Sequence, residues 1–277
     1  MIETSIPIVF LSDATPKLIH NEYYNFFDGE ENFAVASSLE ERVISKSQKL
    51  IYPSRWAAES AVEDYGADPG KVHVVPFGAN LDSVPEISQI QARLSSSCCR
   101  LLFIGKDWRR KGGNIAFGAL SRLIDLGLDA KLTMIGCTPP EDIVAQAGDR
   151  LTIIPFLDKN VARERERLHQ ILLDAHFLML PTRADCSPIV LYEAAAFGLP
   201  TVSSNVGGIS TIVEEGVNGY TFPVEADADH YAKQMAAVFS DRDAYKPLVL
   251  SSRRAYEDRL NWHVWANDVR DVMLELL

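Results

Sequence analysis

From about residue 100 onward the chain alternates short apolar runs with stretches of helical periodicity, and this alternation restricts the fold more than any other feature. Residues 101–104, 131–135, 151–154, 177–180 and 201–204 read as strands, and 220–222 as another after the Asn218-Gly219 turn. Between them, 114–126 carries Ile115, Phe117, Leu120, Leu123 and Ile124 at helical spacing and stops at Gly127. A short helix is expected over 140–147, entered through Thr138, and a longer one over 161–175 with Leu168, Ile171 and Leu172 on one side. Ser187 as N-cap and Pro188 at the first helical position open a helix over 189–197, closed by Gly198 with Pro200 beyond. Gly207-Gly208 opens a short helix through Glu214, and 229–239 is the last helix of the run. Strands that are apolar on both faces need cover on both, which only a parallel sheet between helical layers provides. Residues 98 to roughly 255 are therefore expected to form one doubly wound domain, with any ligand outside the C-terminal ends of its strands.

The first hundred residues hold fewer elements. Residues 7–11, 49–52 and 72–75 read as strands and 31–46 and 55–65 as helices, which is part of a sheet rather than a whole domain. Residues 83–97 are polar and strand-free and read as a linker. At the other end, Trp262, Trp265, Val269, Val272 and Leu276 fall at helical spacing and give 261–277 an apolar stripe. With 277 residues, of which 47% are hydrophobic and 23% charged, the chain can bury a sizeable core. A net charge of −11 argues against general nucleic-acid binding, which leaves a basic footprint. The start has no basic region, and no run approaches the roughly 18 apolar residues of a membrane-spanning helix. Cys98, Cys99, Cys137 and Cys186 have neither disulfide-framework nor zinc spacing, and the six histidines are scattered, so no metal site is expected.

Three segments can carry chemistry. In 105–113, between a strand and a helix, Lys106, Arg109, Arg110 and Lys111 crowd four cations beside two glycines. Cations and free backbone N–H groups at a helix start form an anion site; a solvated basic loop is the alternative. It is neither a P-loop nor a dinucleotide fingerprint. In 181–193, Asp185 lies in the loop after the fourth strand of the run and Glu193 in the second turn of the next helix. The amides of Ile189 and Val190 stand between them. Two carboxylates that accept hydrogen bonds from hydroxyls, with amides for a phosphate, would clamp a sugar nucleotide; an N-capping aspartate and a surface glutamate are the alternative. The third segment, Asn205 to Ile209 with its paired glycines, is either a support for the ligand loop or a tight turn.

Taken in order, these segments resemble glycosyltransferase family four, the large retaining GT-B family. Its glycine and basic residue after the first C-domain strand stand here as Gly105-Lys106, and its Lys-Gly as Lys111-Gly112 within Asp107-Trp108-Arg109-Arg110-Lys111-Gly112-Gly113. Its pair of acids with seven residues between them stands as Asp185 and Glu193, followed by Ala194-Ala195-Ala196-Phe197-Gly198-Leu199-Pro200. Gly207-Gly208 and Glu215-Gly216-Val217-Asn218-Gly219 follow in the family's order, and upstream Pro53-Ser54 and Pro76-Phe77-Gly78-Ala79-Asn80 look like the end of its first lobe and its interdomain linker. Two positions depart from the pattern. The first acid is Asp instead of Glu, and Ser187-Pro188 replaces Phe-Gly, which removes one amide from the phosphate loop.

The resemblance implies an α/β chain of GT-B type: a doubly wound, Rossmann-like C-terminal domain and an incomplete N-terminal Rossmann-like lobe. The expected division is 1–82 for the end of the acceptor lobe, 83–97 for the linker, 98–255 for the donor domain and 256–277 for a helix that crosses back onto the first lobe. It implies a hexosyltransferase that moves a sugar, with retention, from a nucleotide-diphospho-sugar to a glycan or lipid-linked acceptor. Lys106, Lys111 and Asp185 would be catalytic: the lysines hold the departing diphosphate, and Asp185 touches the sugar near its anomeric carbon. Gly105, Arg110, Ser187, Ile189, Val190 and Glu193 would bind donor, with Glu193 on the ribose and the base near Phe156 and Leu157. No cofactor or metal is implied. Envelope polysaccharide synthesis and a cytoplasmic setting, either free or peripheral at the inner face of the membrane, are the implied context. A complete enzyme of this plan needs roughly 350–400 residues. The acceptor site and any catalytic histidine of the first lobe are thus expected upstream of Met1, and the 277 residues alone are expected to bind donor weakly and transfer slowly or not at all. A sugar-nucleotide epimerase and a non-catalytic sugar-nucleotide-binding module are the rival readings.

Overall fold

In the computed structural model, which describes residues 4–23 and 26–277, two parallel sheets stand in sequence along the chain. The smaller consists of β1 (Val9–Leu11), β2 (Lys49–Tyr52) and β3 (Val72–Val74) in that order, with α1 (Pro16–Glu22), α2 (Glu30–Lys46) and α3 (Arg55–Glu63) between them. After α4 (Ile87–Gln91) the larger sheet begins with β4 (Cys99–Ile104), α5 (Gly113–Asp125), β5 (Ala130–Ile135), α6 (Glu141–Ala147) and β6 (Leu151–Ile154). It continues with α7 (Ala162–Asp174), β7 (Phe177–Leu180), α8 (Ile189–Ala196), β8 (Thr201–Ser204), α9 (Ile209–Ile212) and β9 (Gly219–Phe222). The helices α10 (Ala228–Ser240), α11 (Arg242–Arg259) and α12 (Trp262–Leu274) complete the chain.

The order of the larger sheet is β6-β5-β4-β7-β8-β9, every pair parallel. The chain builds outward from β4 in one direction, returns to β4's free side at β7 and builds outward in the other. Helices after β4 and β7 must therefore leave in opposite directions, and a crevice opens between the C-terminal ends of those two strands. Both faces are dry because the strand residues alternate. Leu101, Phe103, Phe177 and Met179 pack with Leu120, Leu123, Tyr231 and Met235 of α5 and α10. Leu102, Leu178 and Leu180 pack with Leu168, Leu172, Tyr192 and Ala195 of α7 and α8. The smaller sheet's core, around Leu50 and Tyr52, is a separate cluster with Ala57, Ala58 and Ala61 of α3.

The α/β, GT-B type architecture expected from the sequence is what the chain adopts, and four local readings change. Helix α6 starts after Pro140, not Thr138, and Pro188 rather than Ser187 is the N-cap of α8. The Ser187 hydroxyl pairs instead with the Tyr192 hydroxyl at 2.8 Å, because Tyr192, one turn on, is fully buried and its phenol needs a partner. Helices α1 and α11 have no counterpart in the sequence reading. The interior Pro247 interrupts the pattern of α11, while Asp241 caps it and Tyr245, Leu248 and Val249 bury its inner face. Finally, the stretch 83–97 read as a linker contains α4, a following tight turn and two buried side chains, Ile90 and Arg93.

The last helix lies on the small sheet. Trp265, Val269 and Val272 of α12 pack on Val9, Ile51 and Val75, and Glu275 pairs with Lys49. The entry to α12 touches the segment joining the two sheets: Trp262 Nε1 donates to Asn80 Oδ1 at 3.0 Å, and a Cβ on Gly78 would lie 2.2 Å from the Trp262 nitrogen. Only glycine permits that approach of two backbones. Among the described residues no helix is long and apolar enough to cross a membrane.

Candidate functional site

The crevice is formed by the two loops that leave β4 and β7, the first and second chemistry-bearing segments of the sequence. In the first, residues 107–110 make a tight turn, with Arg110 N–H donating to Asp107 Oδ1 at 2.9 Å. Gly112 follows with φ +76°, and a Cβ there would lie 1.9 Å from the Pro181 carbonyl oxygen. The β4 loop can thus rest directly on the β7 loop, and the contact is sealed by Arg183 N–H to Arg110 O and Arg110 Nη1 to Ala184 O, both 2.7 Å.

The close contact brings Lys111 onto Asp185, 74 residues later in the chain. Lys111 Nζ donates to Oδ1 at 2.8 Å and to Oδ2 at 2.6 Å, and Arg110 Nη1 lies 3.7 Å from Oδ1. Asp185 is only 6% exposed. Burial draws the Lys111 ammonium below its usual pKa, and the Asp185 carboxylate opposes that by stabilising the charged form. Lys106 stands apart, exposed, with no hydrogen bond or ion pair among the described residues. Gly105, buried, ends β4's pairing by donating to Ile135 O at 2.9 Å.

Glu193 lies one and a half turns into α8, 3% exposed, and pairs with Lys159 from the loop after β6. Burial raises its pKa, and Lys159 counteracts the rise. At the head of the same helix, the amides of Ile189 and Val190 donate to no group among the described residues, as expected for the first turn. They point outward from the positive end of the α8 dipole. The third segment supports the loop from behind: Gly208 N–H donates to Asp185 O at 3.2 Å. The side chains proposed from sequence are therefore gathered as two acid–base pairs, Lys111–Asp185 and Lys159–Glu193, on either side of a helix end with free amides. Ser187 is directed into the protein, and Phe156 and Leu157, the expected base contacts, line a surface depression with Arg163 and Arg167 of α7.

Three contributors escaped the sequence reading. Lys159 belongs to a loop without a recognisable pattern, and it meets Glu193 across 34 residues of sequence. Tyr23 and Asp13 come from the other lobe. The Tyr23 hydroxyl accepts from Cys186 N–H at 3.0 Å, and the Arg110 guanidinium lies over its ring, 5.3 Å from the centroid. Asp13, in the turn after β1, opens onto the cleft near Asp185. Loss of surrounding water, reinforced by the Asp185 charge, pushes its pKa up to about 6. A raised carboxyl pKa favours the folded state only while the group is protonated. That contribution is complete below about pH 4 and is lost as pH rises to about 6. Asp13→Asn is accordingly expected to raise Tm at pH 7 and to leave it unchanged at pH 4. Solvent reaching Asp13 through the cleft limits the gain to about 1 kcal/mol. An equal shift at both pH values, measured by calorimetry, would show that Asp13 carries no such charge penalty.

The profile of the family described as Glycosyl transferases group 1 matches residues 98–241. D-inositol 3-phosphate glycosyltransferases are among the curated relatives. That of Xylanimonas cellulosilytica is 29% identical over 84% of this chain and 58% of its own length, and one from Catenulispora acidiphila is 31% identical over 82% and 56%. The chain thus spans a little over half the length of these relatives. Among solved structures, Anabaena HepE in complex with UDP superposes with a TM-score of 0.74 at 17% identity, covering 98% of this chain and 72% of that one. Sucrose-phosphate synthase of Thermosynechococcus elongatus does so with 0.72 at 19% identity, covering 97% and 67%. At such identities the likeness is one of fold, and the fold is that of GT-B glycosyltransferases. With the family profile spanning more than half of its length, and that span holding both loops of the crevice, the chain belongs to the glycosyl transferases group 1 family.

Proposed function

We propose that this chain carries the donor half of a retaining glycosyltransferase that moves a sugar from a nucleotide-diphospho-sugar to a glycan or lipid-linked acceptor. One observation supports the reading above the rest: Lys111, Asp185, the open amides of Ile189 and Val190, and Glu193 converge on one crevice at the β4/β7 reversal. A diphosphate set against the head of α8 meets two N–H groups, the helix dipole and the cations of Lys111 and Arg110, with Lys106 free to swing onto it. These charges oppose the negative charge that develops as the diphosphate leaves, which is where a transferase needs stabilisation. In this reading Glu193 takes the ribose hydroxyls and Asp185 the sugar, each tethered by its lysine. Retention follows if the acceptor hydroxyl arrives on the face the diphosphate vacates. The cations and helix end do the work that a metal does elsewhere, so no metal belongs to the proposal. A setting at the inner face of a membrane and a role in envelope polysaccharides belong to the same proposal.

UDP is the first ligand to test, since HepE was solved with it. Calorimetric titration with UDP, GDP and ADP, with and without EDTA, is expected to find one diphosphate that binds regardless of EDTA. Lys111→Met and Glu193→Gln are each expected to weaken it about tenfold or more, the loss of roughly 1.4 kcal/mol. Failure of all three nucleotides to bind would sink the donor-site reading. Undiminished transfer by the full-length gene product carrying Asp185→Ala would turn it toward a sugar-nucleotide-binding module.

A further inference from the structure

Resting on that reading of the crevice, we propose that Tyr23 is a positioning residue of the donor site, through which the N-terminal lobe sets the posture of the loop 183–187. The loop's backbone is held from three sides. From the β4 loop, Arg110 takes Ala184 O at 2.7 Å and its own carbonyl takes Arg183 N–H at 2.7 Å. From behind, Gly208 N–H takes Asp185 O at 3.2 Å. The third hold crosses the cleft: Cys186 N–H donates to the Tyr23 hydroxyl at 3.0 Å, over a separation of 163 residues. The same phenol faces Cys186 Sγ at 3.4 Å, and its ring lies under the Arg110 guanidinium. One side chain therefore touches both residues that flank Asp185 in function: the amide next to it and the cation beside it.

Tyr23 can bear that load because the other end of its helix is anchored. Thr15, fully buried, caps α1 and shares a 2.7 Å hydrogen bond with Ser60 of α3. Lys17 pairs with Asp64 at 2.6 Å, and its N–H donates to the Tyr65 hydroxyl at 3.0 Å. Helix α1 is thus a strut fixed to the small lobe, and Tyr23 at its end, the C-cap, is the point of contact with the large one. Loss of surrounding water keeps the phenol protonated at any physiological pH. A loop held in its binding posture before the ligand arrives costs less to order when the ligand binds. Closure of the lobes and affinity for the donor are thereby linked through one hydroxyl.

The test compares wild type, Tyr23→Phe and Tyr23→Ala in the whole chain, with UDP, GDP and ADP as probes. Phenylalanine keeps the ring under Arg110 and removes only the acceptor for Cys186 N–H. It is expected to weaken diphosphate binding about fivefold, the worth of one hydrogen bond. Alanine removes the ring as well and is expected to weaken it about threefold more. Hydrogen exchange at the Cys186 amide, measured without nucleotide, is expected to quicken in both variants, with Tm of Tyr23→Phe unchanged. Wild-type affinity in Tyr23→Phe, or affinity tighter than wild type, overturns the proposal. So does a loss of affinity matched by a general fall in Tm, which would mark a purely structural role. Failure of the wild type to bind any of the three is a different result: it removes the donor-site reading itself, and the role of Tyr23 in binding with it.

Discussion

Lys111→Met is expected to destabilise the folded chain by about 3 kcal/mol at pH 7, near the lower end of what breaking a buried ion pair costs. The substitution leaves the Asp185 carboxylate, 6% exposed, without its two bonds from Lys111 Nζ. Arg110 Nη1, 3.7 Å away, remains and keeps the figure from the upper end. Urea unfolding of Lys111→Met, Asp185→Asn and the double variant closes the cycle. Asp185→Asn added to Lys111→Met should restore stability, giving a coupling of about 2 kcal/mol. Additive effects would mean that the two side chains do not act as a pair in solution.

Arg93→Met is expected to cost about 2–4 kcal/mol, although the residue is nowhere near the crevice. Arg93 is 3% exposed, and its guanidinium donates to three carbonyls: Phe197 O at 2.7 Å, Leu172 O at 3.2 Å and Gly198 O at 3.5 Å. Leu172 O is in the last turn of α7, and Phe197 O and Gly198 O lie just past the end of α8, where carbonyls lack a partner within the helix. A positive charge there also faces the negative ends of both dipoles. Burial lowers the Arg93 pKa, and the neighbouring Tyr245 hydroxyl acts in the opposite direction. Methionine matches the length and supplies no donor, so the carbonyls would be left dry and unpaired. Helix α8 carries Glu193, and thus a loss here should loosen the crevice from its far end. A cost under about 1 kcal/mol in urea unfolding would mean that water takes over the three carbonyls.

How much of this was legible in the sequence depends on the range of the interaction. Strands β4 to β9 and most of the helices between them could be read because alternation and helical spacing are local, and each element buries a face of its own. Helices α1 and α11 show no readable period, for different reasons. Pro247 disrupts the periodicity of α11 while its caps and buried residues hold the helix, and α1 is too short to display a period. The stretch 83–97 reads as polar because a single arginine and a single isoleucine do not make a pattern. Yet Arg93 is buried there by carbonyls that come from Leu172, Phe197 and Gly198.

The candidate site divides along the same line. The kinds of group it needs, cations after one strand and two acids around a helix start, were set by the sequence alone, as was their place at the strand ends of a doubly wound sheet. Which acid meets which base was decided only by the tertiary structure. Lys111 meets Asp185 because β4 and β7 are neighbours at the reversal of the sheet and Gly112 lets their loops touch. Glu193 meets Lys159, and Tyr23 and Asp13 face Asp185 and its neighbours, across separations that no local spacing records. Hydrophobic patterning acts over a few residues, and so a single sequence reveals it. The pairing of buried charges depends on which loops the packed layers bring together, and it exists only once the chain has folded.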